Sequence, residues 1–205
     1  DSVVEVLKEC SDLAPLHNPA CILGIEACKN VMPGKPMVGV FDTAFHQTME
    51  PAAYTYGLPK KYAQKHKIRR YGAHGTSHKY VAGRVAELMG KPLDELKIIT
   101  CHLGNGSSIT AIKNGKVVDT SMGFTPHEGM IMGTRCGDID ATAVLYLMRQ
   151  EQISSAAMDH LLNKESGLLG VSGVSSDLRD IEHAIAEGNT DAKLARDIFV
   201  HRAKK

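Results

Sequence analysis

Residues 97–123 read KIITCHLGNGSSITAIKNGKVVDTSMG, and their pattern decides the fold class. The β-branched, apolar run at 98–101 predicts a buried strand. Residues 109–113 and 116–120 flank Asn114-Gly115, the two-residue signal of a β-hairpin. Between the first strand and this hairpin lies His102-Leu103-Gly104-Asn105-Gly106-Ser107-Ser108, with glycines where a backbone turns tightly or lets a ligand approach. Such a turn offers backbone N–H groups and hydroxyls to an anion, phosphate being the natural candidate. The same residues also suit a plain connection between strands, and on this stretch alone both readings stand.

Composition narrows the partners. Lys and Arg number 24 against 23 Asp and Glu, a net charge of +1, so no bulk field draws the chain to nucleic acid or membrane. No apolar run is long enough to span a bilayer, and no charged-then-apolar leader opens the chain. The five cysteines include no C-x-x-C pair, which predicts free thiols and a reducing, cytoplasmic setting. At 205 residues there is material for one large domain or parts of two. The chain starts without Met in one helical pattern (Val3, Val6, Leu7, Cys10) and stops inside another (Leu194, Ile198, Arg202), as a piece of a longer protein would.

Toward the amino end, Pro15 and Pro19 bend the chain around His17. Residues 36–41, PMVGVF, predict a compact buried strand with Asp42 at its C-terminal end, where α/β sheets bind ligands. The plainer role for Asp42 is a cap on the segment that follows. Residues 54–70 carry six Lys and Arg among three tyrosines, and the neutral surroundings favour a solvated face over a nucleic-acid stripe. His74 and His78 have the spacing that shares one helix face, but Gly75 stands where a zinc-protease helix has Glu. Ser77 and His78 adjoin in sequence, so on a helix they do not face each other.

Toward the carboxyl end, Arg135 sits between Gly133 and Gly137 before a helix at 141–149. It suits either a surface ion pair with Asp138 or Asp140 or a phosphate clamp. Residues 175–180 form another loop-to-helix entry with Ser or Asp as cap. No Gly-Lys pair is followed by Ser or Thr, so a Walker A loop is excluded.

Seven strings then occur in a telling order: LAPLHNP (13–19), VFDTAFHQTM (40–49), RYGAHGTSHKYV (70–81), ITCHLGNGSS (99–108), TSMGFTP (120–126), MGTRCGDID (132–140) and GVSG (170–173). Together they make the chain resemble the acetate/propionate kinase family of the actin-like ATPase superfamily. The resemblance implies an α/β, ribonuclease-H-like fold of two lobes, incomplete here at both ends. Residues 1–46 would be the latter part of the first lobe, and 47–205 the first part of the second, nucleotide-binding lobe. It also implies reversible transfer of the ATP γ-phosphoryl to acetate, giving acetyl phosphate and ADP, with Mg²⁺ and in a homodimer. Propionate or another short-chain acid replaces acetate in a second reading; in a third the chain is a truncated fragment without turnover, as the 205 residues alone are expected to be.

Carried over motif by motif, Asp42, His74, Arg135 and His17 fall on catalytic positions. His102, Leu103, Gly104, Asn105 and Gly106 form the phosphate loop, and Asp177, Leu178 and Arg179 border the nucleotide. Leu16, Ala73 and Pro126 line the acyl pocket. No direct metal ligand falls in this portion, with Asp42 reaching Mg²⁺ through water. Three residues depart from the family's habit: Ala73 for Phe, His127 for Leu and Ala141 for Pro. The first bears on which acid is accepted.

Overall fold

Asn114 and Gly115 both take positive φ, 54° and 75°, as a type I′ turn requires. They join β2 (Ser107–Lys113) to β3 (Lys116–Thr120), and β1 (Lys97–Leu103) pairs antiparallel along the other edge of β2. The register sets Ile98 beside Ile112, Thr100 beside Thr110 and His102 beside Ser108. Thr110 in turn faces Thr120, and a bulge at Ala111/Ile112 brings Val117 opposite Ile112. Because side chains alternate along a strand, these residues share one face of the sheet. That face is apolar at one end, where Ile112 and Val117 pack with Met49 and Ala82. At the other end it buries hydroxyls: Thr100, Ser108, Thr110 and Thr120.

This computed structural model describes residues 2–11 and 18–205 and divides into two compact units, Asp1–Val40 and Phe41–Lys205. In the first, α1 (Ser2–Glu9) packs on α2 (Asn18–Val31), and the Asn18 side chain donates to the Cys10 carbonyl at 2.9 Å. Val4 is the buried residue of α1, while Val3 and Val6 of the expected apolar face are exposed. The strand expected at 36–41 is absent: the segment pairs with no strand among the described residues, and Val38 and Val40 are in solvent. Extended backbone becomes β structure only beside a strand that takes its N–H and C=O groups, and no described residue does so.

In the second unit a 3₁₀ turn (Ala44–Thr48), α3 (Pro51–Tyr54) and α4 (Lys60–Lys65) lead to α5 (Gly75–Met89), which packs on β1. After the sheet come α6 (Ala141–Glu151), α7 (Ser155–His160), a π-turn (Leu161–Glu165), α8 (Gly167–Ser172), α9 (Leu178–Ala186) and α10 (Thr190–Lys204). Met130, Ile131 and Leu168 form a core with Ala195 and Phe199 of α10, while Leu194 of the expected stripe is exposed.

The basic run is not uniformly a solvated face. Lys60, Lys61, Lys65 and Lys67 are exposed, but Arg69 lies 3.6 Å from the ring centroid of Tyr54. The Arg70 guanidinium donates to the carbonyls of Thr120, Ser121 and Met122 at 3.0–3.1 Å and pairs with Glu128. The Tyr56 hydroxyl donates to Glu128 and accepts from the Phe124 N–H at 2.8 Å. Arg70 is thereby diverted into holding the loop from β3 to Glu128, where Gly123 leaves the space its Cβ would take from Tyr56 and Glu128.

Candidate active site

Helix α5 begins against Asp42. The Asp42 carbonyl accepts from the Gly75 N–H at 2.7 Å, and its carboxylate Oδ2 accepts from the His74 N–H at 2.6 Å. Asp42 therefore caps α5 and not the 3₁₀ turn that follows it in sequence, whose cap position Thr43 makes no side-chain bond. The negative charge sits where the helix presents free N–H groups and the positive end of its dipole. His74 precedes the helix in the left-handed region, φ 60°, so it is not on a common helix face with His78 as the spacing suggests. Gly75 is obligatory, because a Cβ there would overlap the Asp42 carbonyl.

The His74 ring turns from Asp42 toward the sheet. Its Nδ1 lies 2.9 Å from Ser108 Oγ, and it stacks on His102 with centroids 3.9 Å apart. Burial, then the neighbouring His102, holds its pKa below the usual imidazole value; Arg135 acts in the same direction and Asp42 opposes. At neutral pH the ring is neutral. Ser77 Oγ meets His102 Nδ1 at 3.0 Å.

Gly106 marks where the groups converge. A Cβ on Gly106 would come within 3.3 Å of His74 Cε1, 3.4 Å of His74 Nε2 and 3.5 Å of Arg135 Nη1. The turn itself is closed by the Gly104 N–H to the Gly106 carbonyl and by Ser107 Oγ to the Gly104 carbonyl, at 3.1 and 3.0 Å. Arg135 donates from Nη1 to the Pro126 carbonyl at 2.8 Å. Its expected ion pair with Asp138 or Asp140 does not form. Asp138 accepts from the Gly129 N–H and lies 3.8 Å from Arg202, while Asp140 caps α6 through the Thr142 N–H. Half-buried and with no carboxylate partner among the described residues, the guanidinium holds an uncompensated charge beside Gly106.

A second convergence lies at Gly133. Its missing side chain makes room for Asn105 Oδ1, and its N–H donates to the Asn105 carbonyl at 3.1 Å. The Ser176 carbonyl lies 3.2 Å from the same vacant Cβ position. The 104–106 turn is thus seated against the loop that enters α9. There Asp177 is the cap, accepting from the Arg179 N–H at 2.8 Å and pairing with its guanidinium at 2.6 Å. That contact holds the Asp177 carboxyl down to about 2.

The Acetokinase family profile matches residues 1–205. The chain belongs to the acetokinase family. The acetate kinase of Moorella thermoacetica is 63% identical over the whole of this chain, which covers 51% of that protein. The crystal structure of Porphyromonas gingivalis acetate kinase superposes with a TM-score of 0.94 at 53% identity, over 98% of this chain and 50% of that one. A propionate kinase from Francisella tularensis gives 0.93 at 48% identity, over 98% of this chain and 51% of that one. The chain spans about half the length of the relatives it matches, and carries that share of their actin-like ATPase fold.

Within this acetokinase chain the structure brings Asp42, His74, His102, Gly104, Gly106 and Arg135 together, with Asn105 and the Asp177–Arg179 turn alongside. Leu103 points into solvent, and Leu178 packs against the core around Leu168. Ala73 is buried with Met122 and Met132. Leu16 and His17 lie outside the described residues. Sequence reading gives His46 no role, weighs His78 only for a metal or a nucleophile pair, and places Ser108 only in the turn. His78 and His46 are fully buried, and burial pushes both down to about 4. His78 Nδ1 meets Thr100 Oγ1 and its Nε2 meets Ser108 Oγ, both at 2.7 Å. His46 Nε2 meets Thr110 Oγ1 at 3.3 Å, and its Nδ1 has no hydrogen-bond partner among the described residues. The signal was the recurrence of Thr or Ser at alternate strand positions, which looked like ordinary strand composition.

Proposed function

We propose that the protein of which this chain spans about half is an acetate kinase, transferring the γ-phosphoryl of ATP to acetate to give acetyl phosphate and ADP. The observation that carries the reading is the convergence of His74 Nε2 and Arg135 Nη1, 3.4 and 3.5 Å from the one vacant Cβ position at Gly106. Transfer of a phosphoryl group needs charge on its equatorial oxygens compensated more than it needs a base. Acetate is ionised near neutral pH, so a carboxylate oxygen attacks phosphorus and the bond to the ADP oxygen breaks without proton abstraction. Arg135 compensates charge, and neutral His74 donates a hydrogen bond. The 102–106 turn holds the nucleotide phosphates, with Asp177, Leu178 and Arg179 at its border. Residues 1–46 belong to the first lobe and 47–205 to the second.

Asp42 orders rather than abstracts. Its Oδ2 is engaged by the His74 N–H, while Oδ1 has no hydrogen-bond partner among the described residues. One free carboxylate oxygen fits a water of a nucleotide-bound Mg²⁺, and no cluster of three ligating side chains occurs among the described residues. Bound Mg²⁺ would supply compensation for phosphate charge. His17 completes the catalytic set, and Leu16, Ala73 and Pro126 line the acyl pocket. The enzyme acts as a cytoplasmic homodimer. Propionate is a second acceptor, favoured by alanine rather than a phenyl ring at position 73.

Arg135→Ala in the full-length enzyme tests the reading. A charge clamp on the transferred group is worth about 10³–10⁵ in rate, so kcat should fall by that order while KM for acetate moves only a few-fold. A near-normal kcat would return Arg135 to holding the Pro126 carbonyl and nothing more.

A further inference from the structure

The hydroxyls and imidazoles behind His74 form a continuous line. Thr100 Oγ1 meets His78 Nδ1 at 2.7 Å, His78 Nε2 meets Ser108 Oγ at 2.7 Å, and Ser108 Oγ meets His74 Nδ1 at 2.9 Å. A hydroxyl has one proton, and a neutral imidazole has one N–H and one bare nitrogen. Ser108 is fully buried and has no other side-chain partner among the described residues, so its proton goes to one of the two rings. It then accepts from the other. Only two arrangements follow.

In one, Thr100 donates to His78, His78 donates from Nε2 to Ser108, and Ser108 donates to His74 Nδ1. In the other every bond is reversed, and the Thr100 proton must go to the Thr110 carbonyl at 3.5 Å. Hydroxyl hydrogen bonds run 2.5–3.0 Å, so the reversed line ends in a poor bond from a buried donor. The first arrangement satisfies all its members.

We propose that Thr100, His78 and Ser108 act as positioning residues that lock His74 as its Nε2–H tautomer, so that it offers the phosphoryl group a donor without carrying a charge. This rests on the reading of His74 as a group that touches the transferred phosphoryl. The locked Nε2–H lies on the side of the ring facing Gly106 and Arg135. Asp42, His102 and Arg135 face His74, and His46 faces His78. None of them is hydrogen-bonded to His74 Nδ1, whose partner is Ser108 Oγ, so the direction of the line is set from the Thr100 end.

Long-range ¹H–¹⁵N spectra of the full-length enzyme at neutral pH show which ring nitrogen of each histidine carries the proton. His74→Asn, which tolerates the left-handed backbone, assigns the His74 signals. The expected result is Nε2 protonated and Nδ1 bare in both His74 and His78. His74 with protonated Nδ1, or with both nitrogens protonated, overturns the proposal without needing any variant of the line to fold. Ser108→Ala should then lower kcat roughly tenfold to a hundredfold, the usual loss when an imidazole loses the group that orients it, with KM for ATP within about twofold. An unchanged kcat in Ser108→Ala also overturns it. An unchanged kcat in His74→Asn instead sinks the catalytic reading, and the spectra separate the two failures.

Discussion

Acidification should unfold the protein through His46 and His78 before the Asp177–Arg179 contact is lost. Both rings are fully buried, and burial, the leading cause in each, lowers them from 6.5 to about 4. The unfolded chain takes up a proton near pH 6.5, whereas the folded chain resists until about pH 4. Between those values the unfolded state binds more protons, so stability is full above 6.5 and drains as pH falls toward 4. Each ring accounts for roughly 3 kcal/mol across that window, at about 1.4 kcal/mol per pH unit. His46 helps to lower His78, so their joint effect is less than twice one ring's. Even so, about 5 kcal/mol rivals the whole stability of an ordinary domain. Asp177 is held down to about 2, so its loss falls below this window. Urea unfolding followed by circular dichroism at steps from pH 7 to 4.5 gives the slope. His46→Gln should be less stable at pH 7 yet lose stability more gently, by about 1 kcal/mol per pH unit. A flat profile between pH 6.5 and 4.5, or a His46→Gln slope equal to the parent's, would refute the reasoning.

Two further outcomes follow from close packing. Gly133→Ala puts a Cβ on Asn105 Oδ1, so the 104–106 turn must shift; the full-length enzyme should lose ATP affinity about tenfold by calorimetry, and unchanged affinity would detach this turn from the nucleotide. Ala73→Phe should raise the acetate-over-propionate ratio of kcat/KM roughly tenfold, against a cost of about 1–3 kcal/mol in stability for displacing the buried Met122 and Met132; an unaltered ratio would remove residue 73 from acid selection.

What could be read from the sequence was local. Asn114-Gly115 dictates its turn by the φ each residue accepts, and the 104–106 turn and the Arg135 loop are fixed by glycines within a few residues. What could not be read depends on register. Thr100, Thr110 and Thr120 come side by side only because two hairpins each return the chain after ten residues, and nothing in a threonine announces a histidine across the layer. Asp42 and His74 lie 32 residues apart, and only folding shows that the carboxylate caps a later helix. Arg69 and Arg70 resemble the lysines beside them until tyrosine rings and loop carbonyls take them up. Residues 36–41 show the converse: an apolar, β-branched run has the composition of a strand but cannot supply its own neighbour.

Asp42 grips helix α5 twice, once by its main chain and once by its carboxylate. The two grips separate under mutation. Any side chain at position 42 leaves the carbonyl on the Gly75 N–H, so the entry to α5 keeps its anchor when the charge is removed. A defect measured at this residue therefore reports on the lost carboxylate, its charge and its hold on the His74 N–H together, with the carbonyl anchor of α5 still in place.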